Sequence, residues 1–203
     1  MVVPPAAPTN LVATLQAGPL VKLTWTDNAN NETGFRIERS TNGVDFTLLG
    51  MASALSTTGT VTFNDTAVLP VATNVTYTYR VAAVNLGGTS AFTTIASATV
   101  PALPMAPSNL IVVNGPNKNR ARSVILVWSD NSNNETGFTI QRATNALFTQ
   151  GLTTMTVGAN VTTLTQTGLS PNTQYWFRIR SNNGTFVFTV WVNATPFPII
   201  TNP

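Results

Sequence analysis

Four carboxylates stand in a pattern that acid–base or metal chemistry uses. Asp27 and Glu32 lie five residues apart in a run of asparagines, and Asp130 and Glu135 repeat that arrangement. Paired carboxylates can serve a glycoside hydrolase as acid and base. Asp, Asn and Glu oxygens can also surround calcium, but the spacing departs from an Asp-x-[Asp/Asn]-x-[Asp/Asn]-Gly loop, with Ala29 and Ser132 at one of its oxygen positions. The pattern occurs in both places, and a catalytic site rarely needs duplication. Asp and Asn bond to nearby backbone N–H groups and shape turns, and Gly34 and Gly137 permit unusual φ ahead of a strand. The expectation is a structural loop. The chain has no His and no Cys, which excludes a Ser-His-Asp triad, a cysteine nucleophile and a zinc site of the usual ligands. No catalytic residue, metal or cofactor is expected, and the chain reads as not an enzyme.

A second constellation pairs aromatic rings with arginine. If Tyr175, Phe177 and Ile179 face a core, Trp176, Arg178 and Arg180 face outward. The following stretch, Phe186 to Val192, is read as one strand, apolar on both faces and containing Trp191. A strand apolar on both sides often has something covering its outer face. Three readings stay open for Trp176, Arg178, Arg180 and Trp191: a face that binds another protein chain, tryptophans that stack on a sugar ring, or a cation–π ladder internal to the domain. The expected role is partner binding.

Charge narrows the partners. Lys and Arg number ten and Asp and Glu seven, and charged residues make up 8% of 203, against about 25% in a typical chain. Residues 1–103 hold four basic and five acidic residues, a net of −1; the remainder holds six and two, a net of +4. The tight basic run Lys118, Arg120 and Arg122 lies in an Asn/Gly/Pro-rich stretch and reads as a solvated loop. Nucleic-acid binders cluster their basic residues on one face, so no nucleic-acid partner is expected. No run approaches 18 apolar residues, so no membrane insertion is expected. The first residues, Met1-Val2-Val3-Pro4-Pro5, lack the charged and apolar regions of a signal peptide. Absence of cysteine fits a reducing interior or an exported prokaryotic protein, and the Thr- and Asn-rich, Lys-poor composition leans toward the exterior.

The elements that position these residues are written twice. Ala7-Pro8-Thr9-Asn10-Leu11 recurs as Ala106-Pro107-Ser108-Asn109-Leu110, offset by 99. Leu23-Thr24-Trp25-Thr26-Asp27-Asn28 through Gly34-Phe35-Arg36-Ile37-Glu38-Arg39 recurs 103 residues later, as Leu126 through Arg142. Tyr77-Thr78-Tyr79-Arg80-Val81 recurs as Tyr175-Trp176-Phe177-Arg178-Ile179, offset by 98. Two modules, 1–103 and 104–203, are therefore expected. They are joined through Val100-Pro101-Ala102-Leu103-Pro104-Met105-Ala106-Pro107, whose prolines favour an extended, semi-rigid spacer. Period-two alternation in Val21-Lys22-Leu23-Thr24-Trp25-Thr26, Asn-Gly turns at 42–43 and 183–184, and the lack of any helical stripe predict antiparallel sandwiches throughout. Trp25 and Trp128 read as core.

The Pro-x-Asn-Leu start, the Trp on the second strand and Leu169-Ser170-Pro171-Asn172-Thr173-Gln174-Tyr175-x-Phe177-Arg178-Ile179 resemble the fibronectin type III family, in two copies covering nearly the whole chain. The Asp-Asn-x-Asn-Asn-Glu-Thr-Gly-Phe stretch is similar to the version found in secreted bacterial and archaeal multidomain proteins. The resemblance implies two all-β, antiparallel, seven-stranded immunoglobulin-like β-sandwiches in tandem, with a tyrosine corner at Tyr77 and Tyr175. The first copy departs from the pattern by two extra residues between Leu69 and Tyr77. The family serves mostly as spacer, adhesive or accessory modules. The expected function is a non-catalytic extracellular or cell-surface structural and interaction module, such as a repeating subunit of a surface fibre, sheath or appendage. Its expected partners are other proteins or copies of itself, with polysaccharide as a further candidate. The alternative is a spacer or glycan-binding accessory module of a secreted polysaccharide-degrading enzyme.

Overall fold

The computed structural model describes residues 1–18, 20–116, 122–184 and 186–203; Lys118 and Arg120 of the basic run lie outside them. Two compact units divide the chain, Met1–Ala102 and Leu103–Pro203. Among the described residues every regular element is a strand, and no helix is long and apolar enough to cross a membrane.

Alternation builds the first unit. Its strands are β1 (Thr9–Gln16), β2 (Leu20–Asp27), β3 (Gly34–Ser40), β4 (Thr47–Ser53), β5 (Gly59–Asp65), β6 (Val75–Asn85), β7 (Gly88–Thr89) and β8 (Ala96–Val100). One sheet runs β1-β2-β5 and the other β4-β3-β6, with β7 and β8 both on the far side of β6. Every pairing is antiparallel. Val21, Leu23 and Trp25 of β2 point inward and are fully buried, as are Phe35 and Ile37 of β3 and Tyr79 and Val81 of β6. Side chains of two sheets meeting this way are the core of a sandwich.

The second unit repeats the scheme with β9 (Ser108–Asn114), β10 (Arg122–Ser129), β11 (Gly137–Ala143), β12 (Thr153–Gly158), β13 (Thr163–Leu169), β14 (Gln174–Asn183), β15 (Val187–Phe188), β16 (Val192–Asn193) and β17 (Ile199–Ile200). Its sheets are β13-β10-β9 and β12-β11-β14, with β15, β16 and β17 along the free side of β14. Its core gathers Leu110, Val124, Leu126, Trp128, Phe138, Ile140, Phe177 and Ile179. Trp25 meets Phe35 edge-on at 5.4 Å, and Trp128 meets Phe138 at 5.7 Å. The last strand of each sandwich is in pieces, two in the first unit and three in the second.

The repeated motifs have local causes. Asn10 and Asn109 take left-handed backbone, φ 55° and 53°. Both sit where the pairing of the first two strands slips register. Asparagine tolerates that conformation far better than a β-branched residue. Each anchors its amide across the pair, Asn10 to Thr26 and Asn109 to Ser129, both at 3.2 Å. The glycine before each β3-type strand answers a different need from the one expected. A Cβ on Gly34 would stand 2.9 Å from the Ala52 carbonyl oxygen, and one on Gly137 2.2 Å from that of Val157. Close approach of the neighbouring strand demands glycine at both. Only Gly137 also has positive φ, +156°.

Two further expectations need correction. Phe186 to Val192 is not one strand: β15 and β16 flank residues 189–191, where the Thr189 N–H still reaches the Ser181 carbonyl at 3.1 Å. The Thr189 hydroxyl accepts the Ser181 N–H at 3.1 Å, the place a ladder carbonyl would take. The chain bulges there, Val190 swings out to 76% exposure, and pairing resumes with the Ala194 N–H on Phe177. The implied tyrosine corners also differ. The Tyr175 hydroxyl accepts the Ser170 N–H at 3.2 Å. At Tyr77 no hydroxyl bond forms among the described residues; both rings carry a guanidinium, Arg39 over Tyr77 at 5.0 Å and Arg142 over Tyr175 at 5.2 Å.

Candidate functional site

The repeated acidic loop is built as backbone scaffolding. Asp27 Oδ1 accepts the Ala29 N–H and Asp130 Oδ1 the Ser132 N–H, each at 3.0 Å, closing matching turns. Asn28 and Asn131 reach back to the Ala7 and Ala106 carbonyls at 2.9 and 2.8 Å. Thr33 and Thr136 donate their N–H groups to Val84 and Asn182 at 2.7 Å each, tying the loop to β6 and β14. Asp27, Glu32 and Glu135 are buried. Glu135 Oε1 accepts the Asn160 N–H at 3.2 Å. Both oxygens of Glu32, Oδ2 of Asp27 and Oε2 of Glu135 have no hydrogen-bond partner among the described residues, and the same is true of the two core indole Nε1 atoms. No group of three or more metal-ligating side chains gathers among the described residues.

The outer face of β14 is the more distinctive surface. Tyr175, Phe177 and Ile179 are buried, and Trp176, Arg178 and Arg180 between them stay half-buried. The bulge after β15 brings Trp191 to the same face. The Arg178 guanidinium lies over Phe148 at 4.0 Å and Trp191 at 4.4 Å, and that of Arg180 over Trp191 at 4.4 Å and Phe188 at 3.8 Å. Phe197 stacks on Phe148 at 6.4 Å. The row reads Phe197–Phe148–Arg178–Trp191–Arg180–Phe188, with attraction between each guanidinium and the faces of its rings. Three of the four expected residues are thus brought together. Trp176 lies opposite Ala143 across β11 and makes no ring contact within the row.

Sequence reasoning missed Phe148, Phe188 and Phe197. Phe148 stands 102 residues after Phe46 in the repeat, a signal that was present. Its backbone was not legible: φ is 55°, uncommon for an aromatic residue. Asn145 holds that turn, its Oδ1 accepting the Thr149 and Gln150 N–H groups at 3.0 and 3.1 Å.

The equivalent face of the first unit is electrically different. Arg80, the counterpart of Arg178, lies over Phe46 at 4.2 Å and Phe92 at 4.1 Å. It also pairs with Glu38 at 2.6 Å, and Arg36 pairs with the other oxygen of the same carboxylate at 2.6 Å. Burial alone would push the Glu38 carboxyl up. Hydrogen bonds and charges from Arg80 and Arg36 outweigh burial and hold it below the ordinary carboxylate range. In the second unit Gln141 stands in place of Glu38, and its Oε1 accepts both Arg178 Nε and Nη2 at 2.9 and 2.6 Å. Burial lowers both Arg178 and Arg180, with the Arg178 charge adding to the effect on Arg180.

No family profile and no curated protein matches the chain. Among solved structures, a fibronectin type III-like protein from Clostridium thermocellum is 30% identical over 46% of this chain and 90% of its own, with a TM-score of 0.37. The FN1–FN3 domains of chicken CNTN1 are 16% identical, cover 99% of this chain and 67% of their own, and superpose with a TM-score of 0.59. With its paired sheets, buried tryptophans and repeated strand order, the chain has the fold of tandem fibronectin type III domains.

Proposed function

We propose that this chain is a non-catalytic structural and interaction module that works outside the cell, as a repeating subunit of a surface fibre, sheath or appendage. The observation that carries the reading is the state of the sheet edges. β4, β12 and β13 contain no charged residue, and the one acid of β5, Asp65, is buried. Edge strands of proteins that stay monomeric are commonly guarded by lysine or other charges. Unguarded edges suit a chain whose edges meet other chains. Of the carboxylates that resemble catalytic pairs, Asp27, Asp130 and Glu135 each give an oxygen to a backbone N–H of the loops, which supports a role through shape and contact. Sedimentation velocity and electron microscopy of the full chain at rising concentration test this. Oligomers or filaments are expected, and monomers alone at millimolar concentration overturn the reading.

A second reading, the glycan-binding accessory module of a secreted polysaccharide-degrading enzyme, is favoured by Trp176, whose indole lies outside the ring row and is half-exposed. Retention on insoluble polysaccharide that disappears in Trp176→Ser, without loss of folding, supports it. Equal retention of the variant removes it.

A further inference from the structure

We propose that Arg180 docks the Asp45 carboxylate of a second copy of this chain. The inference rests on the assembly reading above and names the residues that would carry one contact.

The first unit shows what this arginine–aromatic arrangement does with a carboxylate. There two guanidiniums, Arg36 and Arg80, share Glu38, with ion-pair distances of 2.6 Å on each side. In the repeat alignment the second unit writes Thr139 for Arg36, Gln141 for Glu38 and Arg180 for Ala82. It keeps two arginines on the face and removes the acid. Arg178 is satisfied by the neutral Gln141 amide oxygen. Arg180 has a buried Nε without a hydrogen-bond partner and enters no ion pair among the described residues. A stacked, partly desolvated guanidinium beside a like charge is a strong site for a carboxylate, which it binds through paired charge-assisted hydrogen bonds. Trp191 carries two guanidiniums over its ring, so the row presents cations rather than a bare ring for a sugar.

Charge selects the occupant. The first half of the chain nets −1 and the second +4, so the second unit of one copy attracts the first unit of another. Of the seven acidic side chains, five are buried. Asp130 is half-buried, which leaves Asp45 as the exposed acid; the Asp45 Oδ2 accepts the Asn42 amide N–H at 2.7 Å, which leaves Oδ1 for a partner. It sits at the tip of the β3–β4 loop beside Val44, which is 78% exposed. Val190, similarly exposed, precedes Trp191 in the chain. The Val44–Asp45 tip thus brings an acid and an apolar side chain to a segment that carries a cation and an exposed valine. Because the two patches differ, each copy can engage one neighbour with each, and the contact repeats along a row.

The test is sedimentation equilibrium of the full chain at about 50 mM and about 500 mM NaCl, with Arg180→Glu, Asp45→Arg and an equimolar mixture of those two variants. The expected result is salt-sensitive association of the unaltered chain, weakened about tenfold or more in either variant alone. The mixture should recover association, since Asp45 of one variant meets Arg180 of the other and the two altered positions meet with their charges exchanged. Asp45 lies on an exposed loop, so loss in Asp45→Arg reports docking rather than folding, and circular dichroism checks Arg180→Glu. Variants that associate like the unaltered chain overturn the docking pair and leave the assembly reading standing. Loss in Arg180→Glu without loss in Asp45→Arg overturns Asp45 as the occupant, as does Arg180-dependent binding of poly-glutamate by a chain that stays monomeric. An unaltered chain that is monomeric at every concentration overturns both proposals.

Discussion

At the scale of single residues, backbone geometry explains more of the repeated sequence than side-chain chemistry does. Asn10 and Asn109 occupy left-handed positions at matching bulges, and replacing either by Ala should cost about 1 kcal/mol, read from denaturant unfolding of the full chain. Gly137→Ala should cost more, about 3 kcal/mol or above, because the new methyl meets the Val157 carbonyl oxygen of the adjacent strand at 2.2 Å. Gly43 has positive φ but open space around its Cβ position, so Gly43→Ala should be milder, near 1 kcal/mol. A Gly137→Ala variant no less stable than Gly43→Ala would contradict this ranking.

At the scale of elements, one strand in each unit organises the outer face. β6 and β14 both present an arginine between rings, but the bulge after β15 adds Trp191 and the alternation of β14 adds Arg180. Trp191 stabilises two guanidiniums at once, so Trp191→Ser should lower stability by about 2 kcal/mol. Trp176→Ser, outside the row, should change it by less than about 1 kcal/mol. Comparing the two melting temperatures separates a ladder that holds the sheet from tryptophans that matter only to a ligand. The alternation that put Arg178 and Arg180 outward was readable from Tyr175, Phe177 and Ile179. The break between β15 and β16 was not, because Val187 to Val192 has uniformly high strand propensity. The bulge depends on a threonine hydroxyl meeting the Ser181 N–H across the pair.

At the scale of the molecule, the two units share a fold and differ in electrostatics. The three ion pairs among the described residues all lie in the first unit, two of them on Glu38. A carboxyl held below its ordinary value contributes stability that is complete above that value, about 4.5, and is lost as pH falls through the lowered one. The first unit should therefore weaken in acid before the second, where neutral Gln141 occupies the same place. Residue-resolved amide exchange of the full chain between about pH 7 and pH 3 measures this directly, and Glu38→Gln should flatten the difference. Equal loss of protection in both units on acidification would remove Glu38 as the cause.

The amino-acid sequence alone determined the strand class, the duplication and the cores. Period-two alternation places Val21, Leu23 and Trp25 on one face of any strand they form, whatever packs against it. Two copies of one pattern make that reading redundant. Tertiary structure decided the rest, because the deciding distances join residues far apart in the chain. The proximity of Gly34 to Ala52, of Arg180 to Phe188 and Trp191, and of Phe197 to Phe148 follows from strand pairing and a bulge. Spacing along the chain carries no measure of these. The loss of Glu38's counterpart acquires its meaning only once folding sets Gln141 beside Arg178.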